Sequence, residues 1–137
     1  MKKNERETII DSTFFPYILI RDYLLKNILG DETNEILYWA GKELARQFPL
    51  REQEDVVDAF SHCGFGNLTC IKENASQAVY SLSGELVQTR LLQEQVSFEL
   101  EAGFLAEQLA KIKQQNVSTS VRMQNENQVE LVVEFNE

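Results

Sequence analysis

Apolar residues recur every third or fourth position through the first half of the chain and every second position through much of the remainder, and this change of period sets out the elements. Ser12 and Thr13 precede Phe14-Phe15-Pro16, a hydroxyl residue followed by a first-turn proline that marks a helix start. From there "YILIRDYLLKNILG" keeps the helical period up to Gly30, which suits a C-cap. "DETNEILYWAGKELARQFPL" is the strongest helical segment, with Asp31 or Thr33 placed to cap it and Pro49 to stop it. A third helix is predicted in "REQEDVVDAFSHCG", carried by Val56, Val57, Phe60 and Cys63 and ended by Gly64.

Past Gly64 the spacing shortens. "FGNLTCIKE" and "QAVYSLS", parted by Asn74-Ala75-Ser76, predict a hairpin. Leu86 to Gln95 fits neither period. "EAGFLAEQLAKIKQQ" predicts a helix with Ala102, Leu105, Ala106, Leu109 and Ile112 on one stripe. At the C-terminus Val117, Thr119, Val121 and Met123 alternate, Asn125-Glu126-Asn127 turns, and Val129, Leu131, Val133 and Phe135 alternate back. The expected fold is α+β: N-terminal helices, then an antiparallel sheet of about four strands in two hairpins with a helix between them. One domain is expected over residues 1–137, with 1–12 a flexible end.

Composition narrows the function. The net charge of −9, with 22 acidic against 13 basic residues scattered along the chain, opposes binding to a phosphate backbone, so no nucleic-acid partner is expected. No apolar run approaches the ~20 residues of a transmembrane helix. Lys2 and Lys3 imitate the start of a secretion signal, but Glu5, Glu7 and Asp11 interrupt what would follow. A cytoplasmic protein is expected, with Cys63 and Cys70 as free thiols.

"HCGFGNLTC" holds the lone histidine and both cysteines. His62, Cys63 and Cys70 lack the close ligand pairs of a metal site, and adjacent His62 and Cys63 diverge by about 100° on a helix, too far apart for a nucleophile and its base. No metal, no cofactor and no catalytic residue is expected. The segment reads as punctuation, with the two cysteines as small buried apolar groups. The carboxylate pairs Glu52 with Glu54 and Asp55, and Glu99 with Glu101, read as solvated faces.

Two look-alike helices carry the remaining signal. "WAGKELA" and "EAGFLAE" each place a glycine mid-helix, where it costs ~1 kcal/mol against alanine, so another backbone or a ligand must come close. Helix packing is the first reading of this pair. A ligand slot is the second, and its lining would be Tyr38, Trp39, Gly41, Phe60, Cys63, Gly103 and Phe104. The first long helix is apolar over much of its circumference, and a domain of this size offers one core. Its second face, including Ile20, Leu24, Leu25 and Ile28, is therefore expected to form a homodimer interface.

The blocks "ILYWAGKELAR", "FSHCGFGNLTC" and "LEAGFLAEQ" resemble the YslB family, small uncharacterised cytosolic proteins of low-GC Gram-positive bacteria, over nearly the whole chain. That family is similar in turn to the superfamily of heme nitric-oxide-binding domains, 4-vinyl-reductase-type domains and subunits of the vesicle-tethering transport particle (TRAPP). The resemblance implies an α+β ligand-binding or assembly fold, often dimeric through its N-terminal helices, and supplies no reaction. The heme branch's Tyr-x-Ser-x-Arg motif is not reproduced, since Tyr80-Ser81-Leu82-Ser83 lacks the spaced serine and the arginine. The sequence thus predicts a non-enzymatic domain that binds or senses a small apolar ligand as a homodimer, or, alternatively, a dimeric interaction module with a closed core.

Overall fold

The computed structural model describes residues 3–123 and 125–136. Its elements run α1 (Lys3–Asp11), α2 (Phe15–Ile18), a π-helical turn (Leu19–Leu24), α3 (Leu25–Leu29), a 3-10 turn (Gly30–Glu32), α4 (Thr33–Gln47), α5 (Gln53–His62), β1 (Asn67–Glu73), β2 (Gln77–Ser83), α6 (Glu85–Arg90), α7 (Glu99–Lys113), β3 (Asn116–Met123) and β4 (Gln128–Asn136). The four strands form one antiparallel sheet in the order β1-β2-β4-β3, so the two predicted hairpins are joined through their second strands. In each turn an asparagine carboxamide does the closing. Asn74 Oδ1 accepts from the backbone N–H of Ser76 and Gln77, and Asn125 Oδ1 from that of Asn127 and Gln128. The expectation for the Met123 side chain lies outside the described residues.

The predicted first helix forms as a continuous rod from Phe15 to Leu29, because Leu19, Leu24 and Leu25 all keep right-handed helical angles across its junctions. Its middle is widened: the Leu25 N–H reaches the Ile20 carbonyl, five residues back. Gly30, at φ 62°, then breaks the rod before α4. Thr33 does not cap α4. Its hydroxyl instead donates to the Gly30 carbonyl at 2.5 Å. At the N-terminus, where a flexible end is expected, α1 forms over Lys3–Asp11 and buries Ile9. The segment of mixed period resolves into the short helix α6 and an irregular stretch leading to Phe98.

The described residues form two apolar cores. The larger one fills the space between the sheet and α5 and α7, with α4 packed across α7. Here α7 is surrounded: Ala102, Leu105, Ala106 and Leu109 of the predicted stripe are fully buried, and so are Glu101 and Gln108 on its other sides. The smaller core ties α1, α2 and α6 together through Ile9, Ile18 and Leu86, flanked by Phe14, Phe15, Tyr17 and Leu92.

Candidate functional site

Around its widened turn the rod has a polarity opposite to that of an ordinary surface helix. Facing out are Leu19, Ile20, Tyr23, Leu24 and Ile28, with Ile20 57%, Leu24 49% and Ile28 68% exposed. Facing in are Arg21 and Asp22, both buried. The widened turn lets two consecutive charged residues point to the body of the protein while the apolar residues on either side of them stay in solvent. Of the four expected interface residues, Ile20, Leu24 and Ile28 share the outer face, whereas Leu25 is half-buried.

Arg21 and Asp22 enter a cluster of four buried charges. Arg90, the last residue of α6, grips Asp22 with two hydrogen bonds, from Nε to Oδ2 at 3.0 Å and from Nη2 to Oδ1 at 2.8 Å. Arg21 grips Glu101 of α7 in the same way, Nη1 to Oε2 at 3.0 Å and Nη2 to Oε1 at 2.8 Å. Arg90 Nη1 also donates to Glu101 Oε2 at 3.0 Å, which links the two pairs. The Ser97 carbonyl accepts from Arg90 Nη2 at 2.7 Å and from Arg21 Nη2 at 3.3 Å, and Gln93 Nε2 donates to Asp22 Oδ2 at 2.8 Å. The Arg90 guanidinium lies over the Phe98 ring, 4.3 Å from its centroid. Two cations and two anions cancel, and nearly every polar atom is engaged; of the cluster's guanidinium nitrogens, Arg21 Nε alone has no hydrogen-bond partner among the described residues.

Electrostatics follow from this geometry. Burial works against charge on the Glu101 carboxyl, but Arg21 and Arg90 outweigh it and hold its pKa below the ordinary carboxylate value. Burial pushes the nearby Tyr17 hydroxyl up, opposed by Arg21. The reading of Glu99 and Glu101 as a solvated pair is corrected here: Glu101 is 0% exposed, because Arg21, 80 residues before it, and Arg90, 11 before it, pair with its carboxylate. Nothing in the local sequence around Glu101 signals them.

Beside the cluster opens a cleft of about 690 Å³. Arg21, Asp22, Gln93 and Ser97 line it, together with Lys26 and Asp31. Leu37, Leu91 and Val96 add apolar wall. Lys26 Nζ is tied to Gln95 Oε1 at 3.2 Å across it.

None of the seven residues expected to line a ligand slot borders this cleft. Gly41 and Gly103 face each other's helices. A Cβ on Gly41 would fall 2.7 Å from the Phe104 backbone nitrogen and closer still to the Leu100 carbonyl oxygen; one on Gly103 would fall 2.9 Å from the Tyr38 carbonyl carbon and closer still to its oxygen. The look-alike helices thus pack on each other through their glycines. Tyr38 reaches past this crossing, and its hydroxyl accepts the Thr119 N–H of β3 at 3.1 Å. Phe60 and Phe104 form an edge-to-face trio with Phe65, ring centroids 5.3 to 5.8 Å apart, which fills the larger core. Trp39 is exposed.

Cys63 and Cys70 are free thiols, and the expectation that they are buried is corrected: both are exposed. Cys63 follows the end of α5, and Cys70 lies on edge strand β1 beside a bulge. Partial burial still raises both thiol pKa values, the Glu73 charge adding to the rise at Cys70. His62 is exposed at the end of α5. Tyr80 is buried, and its hydroxyl accepts from Gln53 Nε2 at 3.2 Å. Among the described residues no group of three or more His, Cys, Asp or Glu is placed to hold a metal, and no helix is long and apolar enough to cross a membrane.

Helices against one four-stranded antiparallel sheet, with an N-terminal helical arm, make an α+β fold similar to that of a solved vinyl-4-reductase family protein. The crystal structure of such a protein from Methanocaldococcus jannaschii aligns with 98% of this chain and 90% of its own, at a TM-score of 0.66 and 23% identity. Residues 14–134 match the model of the family described as "Protein of unknown function (DUF2507)", and the chain belongs to that family. It is 37% identical over 107 residues to "Uncharacterized protein YslB" of Bacillus subtilis (strain 168), covering 77% of this chain and 72% of that one.

Proposed function

We propose that this protein is a non-enzymatic, cytoplasmic interaction module that works as a homodimer through the outer face of its N-terminal rod. The observation that carries the reading is that face itself. Leu19, Ile20, Tyr23, Leu24 and Ile28 are exposed together over successive turns, and contiguous apolar surface of this kind marks an interaction site. A two-fold axis sets the same face of two copies against each other, and this is the commonest symmetry of homo-oligomers. The family resemblance, which implies dimers through N-terminal helices, supports the same partner.

A non-enzymatic role is supported by the buried charges, which are consumed in pairing with one another. A closed interior is supported by the Phe60, Phe65 and Phe104 trio. Sedimentation of the unmodified protein at micromolar concentration is expected to show a dimer, and Leu24→Glu with Ile28→Glu a folded monomer. A monomeric wild type defeats the reading.

The cleft favours a second reading, in which the protein also takes a small molecule. Its volume falls within the range of ligand sites. With Lys26, Asp31 and amide side chains on its walls it suits a polar ligand better than the apolar one the sequence leads one to expect. Native mass spectrometry of freshly purified protein is expected to show a copurified small molecule on this reading and the bare chain on the first.

A further inference from the structure

We propose that the Arg21, Asp22, Arg90 and Glu101 cluster is a latch that sets how the rod presents its outer face, and that the latch opens while the sheet stays folded. As to what the outer face touches, the proposal rests on the homodimer reading; as to how the rod is held, it stands alone. Over its second half the rod is otherwise attached only lightly, by packing of α3 on the start of α4 and by the Lys26–Gln95 hydrogen bond. Residues of α3 are exposed or half-buried, Gly30 ends the rod in a backbone break, and the smaller apolar core grips the first half, through Ile18 and its neighbours. Between them lies the widened turn, whose inner residues are the two charges that the latch holds.

The coupling to the outer face is geometric. Ile20, Leu24 and Ile28 follow one another down the rod, and the turn that spaces the first two is the one bearing Arg21 and Asp22. A turn with five-residue hydrogen bonding is kept only where surrounding contacts compensate it, and Arg21 and Asp22 turn their side chains inward to the cluster, with the Tyr17 hydroxyl beside Arg21. Without those contacts the turn relaxes toward the ordinary helical spacing, and the residues beyond it change phase against those before it. Charges suit a latch of this kind. Loss of one partner leaves a buried unpaired charge, whereas loss of both ends of a pair leaves a neutral remainder.

Amide hydrogen exchange of the full chain tests this. In Arg90→Met, protection over residues 15–29 is expected to fall at least tenfold while that of β2 and β4 is unchanged, and the double variant Asp22→Leu with Arg90→Met is expected to recover most of the loss. Asp22→Asn, isosteric and placed on the rod, is expected to repeat the Arg90→Met pattern. The proposal is overturned if residues 15–29 keep their protection in both single variants, or if both lose strand protection equally, which would make the cluster a part of the common core.

The same contrast is expected in the Leu24→Glu, Ile28→Glu background, so a wild type that sediments as a monomer ends the dimer reading without bearing on the latch. Where the wild type is a dimer, Arg90→Met is expected to weaken it at least tenfold although Arg90 is 0% exposed. An unchanged dimer constant would overturn the coupling to the outer face.

Discussion

The crossing of α4 and α7 and the docking of the N-terminal rod solve one problem, the attachment of a helix, by opposite means. At the crossing the contact is backbone against backbone, made possible by the absence of side chains at Gly41 and Gly103. At the middle of the rod the contact is made by charged side chains, Arg21 and Asp22 meeting Glu101 and Arg90, while Ile20, Leu24 and Ile28 face away and Ile18 enters the smaller core. Close backbone packing tolerates no adjustment, because every displacement opens a void or makes a clash. A charge cluster is strong only when complete, since the removal of one member leaves the others paying for desolvation without compensation. The first kind of joint suits the permanent centre of a fold, the second a joint with two positions.

The sharpest way to break the contrast is at Arg90. Arg90→Met leaves Asp22 and Glu101 buried with one arginine between them, and breaking a buried pair costs about 3–5 kcal/mol. The loss is expected in the rod first, as amide exchange over residues 15–29, ahead of any shift in the urea midpoint of the sheet. Next is the glycine joint. Gly103→Ala is expected to lower stability by about 1–3 kcal/mol, the usual range for overpacking, despite alanine's helix preference of ~1 kcal/mol. Here the loss should be global, read as a lower urea midpoint, with sheet and helices unfolding together. A variant as stable as wild type would mean that the two helices part at no cost.

Acid offers a milder test. The Glu101 pKa lies below its ordinary 4.5 in the folded protein, so the carboxylate's contribution is complete above that value and is lost as the pH falls through the lower folded value. Exchange protection over residues 15–29 is expected to fall in that window ahead of protection in β2 and β4. Simultaneous loss in rod and sheet would erase the distinction between the two joints. The smallest effect on stability is expected at the outer face. Ile28→Glu, on a side chain 68% exposed, should change monomer stability by no more than about 0.5 kcal/mol while weakening self-association, which sedimentation and urea titration of the same sample separate.

Much of the fold is legible in the chain. The helical period over Phe15–Leu29 and Thr33–Gln47, the alternation in β3 and β4 and the asparagine turns are local signals, and each reports a neighbour a few residues away. The mid-helix glycines are legible too, as a demand for close approach, though the sequence leaves open what approaches. Leu86 to Gln95 is not legible, because α6 is short and the stretch after it is shaped by Arg90 and Gln93, whose partners lie on the rod. Cys63 and Cys70 mislead, since an apolar neighbourhood in sequence does not place a residue inside when it sits at a helix end or on an edge strand.

By itself the sequence determined what short-range chemistry determines: the α+β class, the order of the longer helices and the two hairpins, the absence of a long apolar span and the presence of a helix apolar over much of its circumference. Only the tertiary structure decided which hairpin strands meet, that the two glycine-bearing helices are each other's partners, and that Arg21, Asp22, Arg90 and Glu101 form one neutral cluster. The physical reason lies in range and sign. Periodicity and turn chemistry act over a few residues and leave their mark there, whereas Arg21 and Glu101 are 80 residues apart in the chain. Read locally, a charge belongs in water; its burial becomes favourable only when the folded chain brings its opposite within about 3 Å.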